Sequence, residues 1–421
     1  MIRVVITGLG AVTPLGNTFE ESWQAVKAGK SGIGPITRFD ASCIPWKVAG
    51  EVRGFDVGTY LDVKEMRRLD TFIHYAVAAS TEAVKDAGLR QDHGTKKQGR
   101  PTFPVDYLTS GGVIIGSSRG GIGTLEKAVA ARQKSGPGNR SSKPSAYLMP
   151  STTIGMASSY IAQKLGIKGY CLGISNACAS GTNAVGEAYR LIKAGFEGPV
   201  IAGGSEAPLC RLCVEGYGVS GVLSKTADCS ASRPFDRSRN GFVLSEGACV
   251  MVMERLDIAL KRGTRIYGEI KGYANTVDAF HQTRPEREGE ANAMRSAMAE
   301  AGITPRDVDY INAHGTSTII GDKVEAEAIE KVFGETFSMI PVTAIKSATG
   351  HMLAASGALE AAFTVMSIKE KIIPPTINLR GGNNDCGIGV MTEKTEAEIR
   401  IAISNSFGFG GVNAVLVLKA R

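Results

Sequence analysis

The chain has 421 residues, of which 43% are hydrophobic and 21% are charged, and its formal net charge is +7 at pH 7. A single hydrophobic core stops growing at ~250–300 residues, so this length predicts two halves or one duplicated domain. The basic excess is mild and includes no lysine and arginine block and no stripe of interleaved aromatic residues, which argues against nucleic-acid binding. It fits an acidic protein partner or an anionic substrate.

Short apolar runs alternate with helical patterns along the chain. The predicted strands span residues 4–7, 113–116, 200–203, 248–254, 266–273, 308–313 and 414–418. The predicted helices span residues 18–28, 64–87, 122–134, 151–165, 184–194, 288–301, 322–332 and 357–371. This alternation indicates an α/β layered fold, and strands without polar alternation fit sheets that are covered on both faces.

The pattern of apolar segments and cysteines predicts a cytoplasmic protein. No secretory signal precedes the first strand, and no apolar run approaches the ~20 residues that a membrane span needs. The eight cysteines are scattered, which does not indicate a disulfide framework, so reduced thiols are expected. Cys210 and Cys213 form a lone C-x-x-C pair in a predicted connecting segment, which is only a weak indication of a redox or zinc site.

Residues 91–107 have the composition of a loop and predict a mobile basic surface insertion. His93 lies within it, and we expect no chemical role for this histidine. A second stretch, residues 134–145, is rich in glycine, serine and proline and precedes Tyr147.

A cysteine lies among small residues in the segment 173–183, between an apolar run and a helical pattern. At a helix start, free backbone N–H groups and the positive end of the helix dipole would favour the thiolate of Cys178. Its small neighbours would let a substrate approach closely. This segment alone fits a nucleophile and a buried structural cysteine equally well.

Two histidine motifs favour the nucleophile. Of the five histidines in the chain, His314 and His351 lie in turns rich in glycine, threonine and serine, where catalytic groups are often displayed. One cysteine with two histidines suggests acyl transfer with electrostatic stabilisation of an oxyanion.

Four motifs occur in a fixed order: Asn-Ala-Cys-Ala-Ser-Gly at 176–181, Asn-Ala-His-Gly-Thr-Ser-Thr at 312–318, Lys-Ser-Ala-Thr-Gly-His at 346–351, and Asn-Ser-Phe-Gly-Phe-Gly-Gly-Val-Asn at 405–413. Through them nearly the whole chain resembles the β-ketoacyl-[acyl carrier protein] synthases of the thiolase superfamily, most closely the elongating type II enzymes. The resemblance implies a thiolase-like duplicated five-layer α-β-α-β-α fold. Residues 1–258 would carry the cysteine, and residues 259–421 the two histidines and the phenylalanine loop.

The resemblance also implies a reaction, the decarboxylative condensation of an acyl group with malonyl-acyl carrier protein during fatty acid elongation. Cys178 would carry the acyl chain as a thioester, and its backbone N–H would form the oxyanion hole together with that of Phe409. His314 and His351 would donate hydrogen bonds to the malonyl thioester carbonyl and stabilise the enolate. The substrates would arrive on a phosphopantetheine arm, so no metal and no cofactor are expected.

Supporting roles follow from the same resemblance. Lys346 and Glu360 would form a buried charge network beside the histidines. Phe409 would act as a gate with Phe407 beside it, and Tyr147 would belong to the acyl pocket. The threonines expected to bind the phosphopantetheine arm are Thr316 and Thr318. The basic residues expected to receive the acidic carrier protein are Lys64, Arg67, Arg68 and Lys143. A homodimer is expected, with central sheets paired edge to edge and residues 134–145 near the interface.

Arg119 departs from the family pattern, in which an apolar residue at this position lines the acyl pocket. An arginine in an apolar pocket needs a charge partner or water. It would plug the pocket and restrict the enzyme to short chains, turn away to pair with an acid such as Glu126, or contact a polar acyl terminus. We expect a preference for short to medium primers.

Three other functions would fit parts of this sequence. A ketosynthase of a polyketide or specialised lipid pathway would use the same chemistry. A degradative thiolase would need a second cysteine near its C-terminal end, where this chain has Phe-Gly-Phe-Gly-Gly. A non-catalytic chain-length partner would lack the nucleophile, and Cys178 argues against it.

Overall fold

The computed structural model describes residues 2–89, 106–135, 144–379 and 384–421. The strands in this part of the chain are β1 (Val4–Val12), β2 (Ile33–Pro35), β3 (Val48–Gly50), β4 (Gly112–Gly116), β5 (Cys171–Ile174), β6 (Val200–Glu206), β7 (Gly247–Arg255), β8 (Gly268–Val277), β9 (Tyr310–Asn312), β10 (Val342–Thr343), β11 (Ile372–Ile373), β12 (Thr395–Glu396), β13 (Ile401–Gly408) and β14 (Val412–Lys419). The helices are α1 (Phe19–Lys27), α2 (Val63–Arg68), α3 (Thr71–Asp86), α4 (Asp106–Thr109), α5 (Ile122–Ser135), α6 (Leu148–Thr152), α7 (Met156–Leu165), α8 (Ser180–Lys193), α9 (Arg211–Val219), α10 (Leu256–Arg262), α11 (Arg287–Ala301), α12 (Ile319–Phe333), α13 (Lys346–Thr349) and α14 (Ala354–Glu370).

The main sheet of the described residues repeats one topology. Its strand order is β10-β9-β13-β14-β8-β1-β7-β6-β4-β5. From the outer edge inward, the first half of this sheet has the order β5-β4-β6-β7-β1 and the second half the order β10-β9-β13-β14-β8. When the strands of each half are numbered along the chain, both orders are 3-2-4-5-1. The halves join where β1 pairs antiparallel with β8 over Val4–Ile6. The predicted boundary between residues 258 and 259 falls inside α10, and it stays a prediction.

Helices separate and cover the two half-sheets. α8 and α14 lie between them: α14 contacts β6 and β7 on one side and β13 and β14 on the other. Every residue of α14 from Ala354 to Ile368 is buried, and its small side chains fit this enclosed position. α3 and α7 cover the outer face of the first half, and α11 and α12 cover that of the second. The fold is therefore the thiolase-like five-layer α-β-α-β-α arrangement.

Two of the predicted helices are divided. The prediction of one helix over 64–87 is wrong: α2 ends before Leu69, which is extended, and Asp70 caps α3 by accepting a hydrogen bond from the Phe72 N–H at 3.0 Å. The predicted helix 151–165 is also divided, because Thr153 is extended and separates α6 from α7. The segment with Cys210 and Cys213 was predicted to be a connection. Instead Cys210 is the N-cap of α9, and both cysteines are buried.

The sequence missed β13 because Asn405 and Ser406 interrupt its apolar pattern. Both side chains are fully buried in this strand, and the Asn405 amide donates to Glu325 at 3.2 Å. A tertiary hydrogen bond therefore satisfies a polar group that the local pattern assigns to a turn.

The long predicted insertion lies mostly outside the described residues, as do His93 and Lys143. Its last two residues are described and belong to α4. There the Tyr107 hydroxyl donates to Glu254 at 2.9 Å, so this end of the segment is anchored to β7. No helix in the described part of the chain is both long enough and apolar enough to cross a bilayer.

Candidate active site

Two tight turns place the predicted nucleophile and one histidine side by side. Ala177, directly before Cys178, has a φ of +47°, and Leu353, directly before α14, has the same value. Such values are strained for residues other than glycine and cluster at functional sites. α8 and α14 then pack so closely that a side chain at Gly181 would collide with the Ala354 carbonyl. The starts of the two central helices thus meet at one place.

A cavity of about 470 Å³ opens onto this place. The predicted site residues that line it are Cys178, His314, Thr316, Thr318, His351, Phe407 and Phe409. Lys346 and Glu360 lie directly behind His314 rather than on the cavity wall, and both are at least 98% buried. Residues from both halves of the chain therefore converge on one site.

Two backbone N–H groups lie beside the Cys178 sulfur. The Phe409 N–H donates a hydrogen bond toward Sγ. A Cβ at Gly408 would come within 3.2 Å of the Cys178 backbone nitrogen, so the glycine keeps the space before that N–H open. This pair of donors has the composition of an oxyanion hole.

Burial opposes ionisation of the nucleophile. It raises the pKa of Cys178 to about 11, and the charges of Lys346 and Arg119 and the Phe409 N–H offset only part of this effect. The sequence argument expected the thiolate to be favoured, so this expectation is wrong for the free protein. With this pKa the thiol of the free protein is protonated at neutral pH.

His314 is held as a neutral hydrogen-bond donor. Lys346 Nζ lies 3.3 Å from its Nδ1, and because an ammonium group can only donate, the ring proton belongs on Nε2. Burial and the charge of Lys346 lower the pKa of His314 well below its usual value. Lys346 also donates to the His314 carbonyl at 2.6 Å, which fixes the turn.

His351 has an equivalent arrangement. The Ser356 hydroxyl accepts the Met352 N–H at 2.9 Å, and its own proton can be donated to His351 Nδ1 at 3.2 Å. Burial, with the charge of Lys346, lowers the pKa of His351 well below its usual value. Its Nε2 is buried and has no partner among the described residues. The centroids of the two imidazole rings are 5.5 Å apart, the ring planes make an angle of 83°, and both residues line the cavity.

Lys346 supplies a positive charge behind the histidines, and Glu360 pairs with it. Lys346 Nζ lies 2.6 Å from Glu360 Oε1. A fully buried lysine is tolerated only with such a partner. The sequence placed these two residues together, and the structure brings them into contact.

Sequence reasoning missed Glu325, which supports the turn that carries His314. This buried carboxyl accepts the backbone N–H groups of His314 and Gly315, both at 2.8 Å. Asp322, one turn earlier on α12, accepts the Ser317 N–H at 2.9 Å. Acidic residues spaced by three on the helix that follows the motif were an available signal for this support.

Two predicted pocket residues do not line this cavity. Tyr147 is 41% exposed, and the guanidinium of Arg68 stacks 4.5 Å from the centroid of its ring. Arg119 does not pair with Glu126, whose carboxylate accepts the Leu212 N–H at 2.6 Å. Instead Arg119 Nε donates to the Tyr217 hydroxyl at 2.8 Å.

The predicted docking residues on α2 are exposed. Lys64, Arg67 and Arg68 face solvent, while Glu65 on the same helix accepts from Lys164 and Tyr160 of α7. The helix is thereby fixed to the body of the protein with its cations outward.

Comparison with known proteins gives the same assignment as this geometry. The family model described as "Beta-ketoacyl synthase, N-terminal domain" matches residues 1–259, and "Beta-ketoacyl synthase, C-terminal domain" matches residues 267–380. The chain belongs to the β-ketoacyl synthase family.

Its curated relatives narrow the comparison. The 3-oxoacyl-[acyl-carrier-protein] synthase 2 of Synechocystis sp. is 43% identical over 422 residues, covering 99% of this chain and 98% of the relative. The protein of the same name from Coxiella burnetii is 44% identical with the same coverage.

Solved structures of ketosynthases are also similar. The ishigamide ketosynthase/chain length factor has a TM-score of 0.90 and 34% identity, covering 100% of this chain and 99% of that one. A beta-ketoacyl synthase from Burkholderia phymatum has a TM-score of 0.89 and 30% identity over the full length of both chains.

Proposed function

We propose that this protein condenses an acyl group, carried as a thioester on Cys178, with malonyl-acyl carrier protein to give β-ketoacyl-acyl carrier protein, and so elongates chains in fatty acid biosynthesis. The observation that carries the proposal is the convergence of one cysteine, two backbone donors and two neutral histidines on a single cavity. The names of the curated relatives support the same reaction.

The first half-reaction transfers the acyl group. The Cys178 sulfur attacks the thioester carbonyl of the incoming acyl carrier, and the carrier thiol leaves. Negative charge develops on the carbonyl oxygen, and the N–H groups of Cys178 and Phe409 stabilise it without reorganisation. The pKa of the thiol is high, so the thiol loses its proton as it attacks, and that proton ends on the carrier sulfur, which leaves as a thiol.

The second half-reaction forms the carbon–carbon bond. His314 and His351 donate Nε2–H hydrogen bonds to the malonyl thioester carbonyl, and carbon dioxide leaves as the enolate forms. The enolate carbon attacks the acyl thioester and expels Cys178 as the leaving group. Burial, and then the charge of Lys346, keep both imidazoles neutral, so they act as hydrogen-bond donors rather than as acids.

The partners belong to this proposal. Acyl carrier protein would dock against the exposed cations of α2, since its acidic surface complements them. The arm would enter past Thr316 and Thr318, which are hydrogen-bonded to each other at 2.9 Å. The protein would act in the cytoplasm as a homodimer and would need no metal and no cofactor of its own.

A polyketide or specialised lipid ketosynthase is the second candidate. It uses the same chemistry, and the similar solved structures include the ishigamide ketosynthase/chain length factor. Condensation rates measured over a series of saturated acyl primers of increasing length separate the two. Elongation of successive saturated primers supports fatty acid synthesis, and failure beyond the first primers supports the alternative.

Reconstitution tests the reaction itself. Purified protein, acyl-acyl carrier protein and malonyl-acyl carrier protein should yield β-ketoacyl-acyl carrier protein and carbon dioxide. The β-ketoacyl product is detected by mass spectrometry. Cys178→Ser should abolish the product, because a neutral hydroxyl is far less nucleophilic than a thiolate. Cys43→Ser, at an exposed cysteine, is the matched control and should retain it. Product formation by Cys178→Ser at the parental rate would refute the proposal.

A further inference from the structure

We propose that Cys210 and Cys213 are a redox site, that hydrogen peroxide converts their two thiols into a reversible disulfide, and that this disulfide slows condensation. The C-x-x-C pair takes no part in the acyl transfer described above. Only the effect on condensation rests on the proposed function, and formation of the disulfide does not depend on it.

The fold places the two cysteines on one turn of helix. Cys210 is the N-cap of α9, Cys213 is the third residue of this helix, and the Val214 N–H donates to the Cys210 carbonyl at 3.1 Å. The Cβ atoms of residues three apart on a helix are about 5–6 Å apart. A disulfide needs Cβ atoms about 4 Å apart, so a modest tightening of this turn allows the bond to form.

The two thiols already interact. Contact with the Cys213 side chain lowers the pKa of Cys210, and contact with Cys210 raises the pKa of Cys213. Cys210 is therefore the more acidic thiol and the one that attacks first. The carboxylate of Glu126 interacts with the Cys210 thiol and accepts the Leu212 N–H at 2.6 Å. A proton acceptor thus lies beside the pair.

The reaction balances with hydrogen peroxide as the oxidant. The Cys210 sulfur attacks one peroxide oxygen, the O–O bond breaks, and the hydroxide that leaves receives the Cys210 proton through Glu126 and becomes water. The Cys213 sulfur then attacks the sulfenic acid, the S–S bond forms, the S–O bond breaks, and a second water leaves with the Cys213 proton. The two thiols lose two electrons and two protons, and one peroxide gains them.

Burial and acidity favour this pair over the nucleophile. Cys210 and Cys213 are 6% and 8% exposed, so the opening admits a small oxidant such as hydrogen peroxide. Peroxide reacts with thiolates, and burial raises the pKa of Cys178 to about 11. We therefore expect the pair to be oxidised before Cys178.

α9 connects the pair to the acyl side of the cavity. Tyr217 lies one turn after Cys213 on the same face of the helix, and it lines the cavity together with Cys178. The charge of Arg119 acts on the Cys213 thiol, and Arg119 Nε donates to the Tyr217 hydroxyl at 2.8 Å. A shift of Cys213 therefore reaches the cavity wall through the helix and through Arg119.

The far end of α9 cannot absorb this shift. Gly218 packs so closely on Trp46 that a Cβ on the glycine would collide with the indole ring. A disulfide bond is about 2.05 Å long, well below the separation of two thiols in contact, so its formation moves the first turn. A misplacement of about 1 Å in an active site costs on the order of 10²-fold in rate. Because Tyr217 forms the wall and no reacting bond, we expect about a tenfold loss.

Peptide mass spectrometry and a rate measurement test the two parts of the inference. The reduced protein is treated with hydrogen peroxide, denatured, alkylated with iodoacetamide and cleaved after glutamate, which leaves both cysteines on the peptide 207–215. This peptide should carry no alkyl group and be lighter by two hydrogen atoms than the reduced peptide. Condensation of a saturated primer should fall about tenfold, and dithiothreitol should restore both the thiols and the rate.

Matched variants separate this disulfide from oxidation elsewhere. The ratio of the condensation rates after and before peroxide is compared, because a ratio cancels any general loss of active protein. Cys210→Ser and Cys213→Ser cannot form the bond, so their ratio should stay near one. Cys229→Ser, at an exposed cysteine, is the control and should lose activity as the parental protein does. Cys178 should still be alkylated in every sample.

The remaining outcomes refute one part or the other. Two alkylated cysteines on the peptide 207–215 after peroxide would show that the pair is not a redox site. A disulfide without loss of rate, or the same loss in Cys210→Ser, would show that the bond does not control condensation. Absence of condensation by the reduced protein would refute the proposed function, and the peptide would still decide whether the disulfide forms.

Discussion

Cys178 lines the substrate cavity, yet its thiol is largely protonated in the free protein. The sulfur lies on the cavity, but its surroundings raise the pKa to about 11. The thiolate fraction below that pKa increases tenfold for each pH unit. The thiol therefore loses its proton during the attack, and the oxyanion donors stabilise the negative charge that develops on the carbonyl oxygen.

This state predicts a steep pH dependence of thiol reactivity. Alkylation of Cys178 by iodoacetamide should accelerate about tenfold per pH unit between pH 6 and pH 9, because only the thiolate reacts. Quantification of the modified peptide by mass spectrometry resolves Cys178 from the exposed Cys43 and Cys229. A rate that has already reached a plateau at pH 7 would show that the resting thiol is ionised.

The histidines predict a separable effect on decarboxylation. His314→Ala or His351→Ala should slow decarboxylation of malonyl-acyl carrier protein by a factor on the order of 10²–10³, the typical loss for one oxyanion donor. Acylation of Cys178 should be affected less.

Cys178→Gln is the control variant that separates decarboxylation from condensation. Its amide can occupy the acyl position, so it should retain decarboxylation while abolishing condensation. Parental decarboxylation rates in both histidine variants would contradict the enolate mechanism.

At the scale of elements, α11 carries a buried acid that has no ion-pair partner in the described part of the chain. Glu290 is 1% exposed and lines the cavity, and its Oε2 has no hydrogen-bond partner among the described residues. Burial, and then repulsion by Glu325, raise its pKa well above the ordinary value. Above that ordinary value the folded state binds more protons than the unfolded state, so this residue reduces stability as pH rises.

Glu290→Gln should therefore make the protein more stable at pH 8 and change little at pH 4.5. Chemical denaturation at the two pH values measures the free energy of unfolding. Glu288→Gln on the same helix is the control with the opposite sign, because Lys331 and Arg295 lower the pKa of this exposed carboxylate. Equal pH dependence in Glu290→Gln and the parental protein would contradict the assignment.

Motif residues and their elements could be predicted where the signal is local. The turns that carry Cys178 and His314 were predicted at the ends of strands, because glycine and other small residues mark them, and the structure has them there. Tyr217 could not be placed, since its partner Arg119 is 98 residues away in sequence and only tertiary packing brings the two together. Glu325 is only 11 residues from His314, and its signal was the spacing of acidic residues on the helix that follows the motif. The position of Tyr147 outside the cavity could not be predicted either, because its contact with Arg68 is tertiary.

At the scale of the whole molecule, the layered order follows from the alternation of strands and helices. The position of α8 and α14 between the two half-sheets could not be predicted from this alternation. An alanine-rich helix such as α14 has the same sequence pattern whether it lies on an outer face or between two sheets. Its burial on every side is decided by the second half-sheet.

The edge of the first half-sheet predicts the oligomeric state. β5 is the outermost strand there, and Cys171 at its start is exposed. An unpaired edge favours pairing with a second copy across a two-fold axis. Light scattering at micromolar concentration should give the mass of a dimer, and a monomer would contradict this prediction.

The central claim is that Cys178 carries the acyl chain. The most direct measurement is peptide mass spectrometry after brief incubation with acyl-acyl carrier protein in the absence of malonyl-acyl carrier protein. We predict one acyl group per chain, attached to Cys178 and lost when malonyl-acyl carrier protein is added. Acylation at Cys210 or Cys213 instead, or no acyl-enzyme at all, would contradict the account.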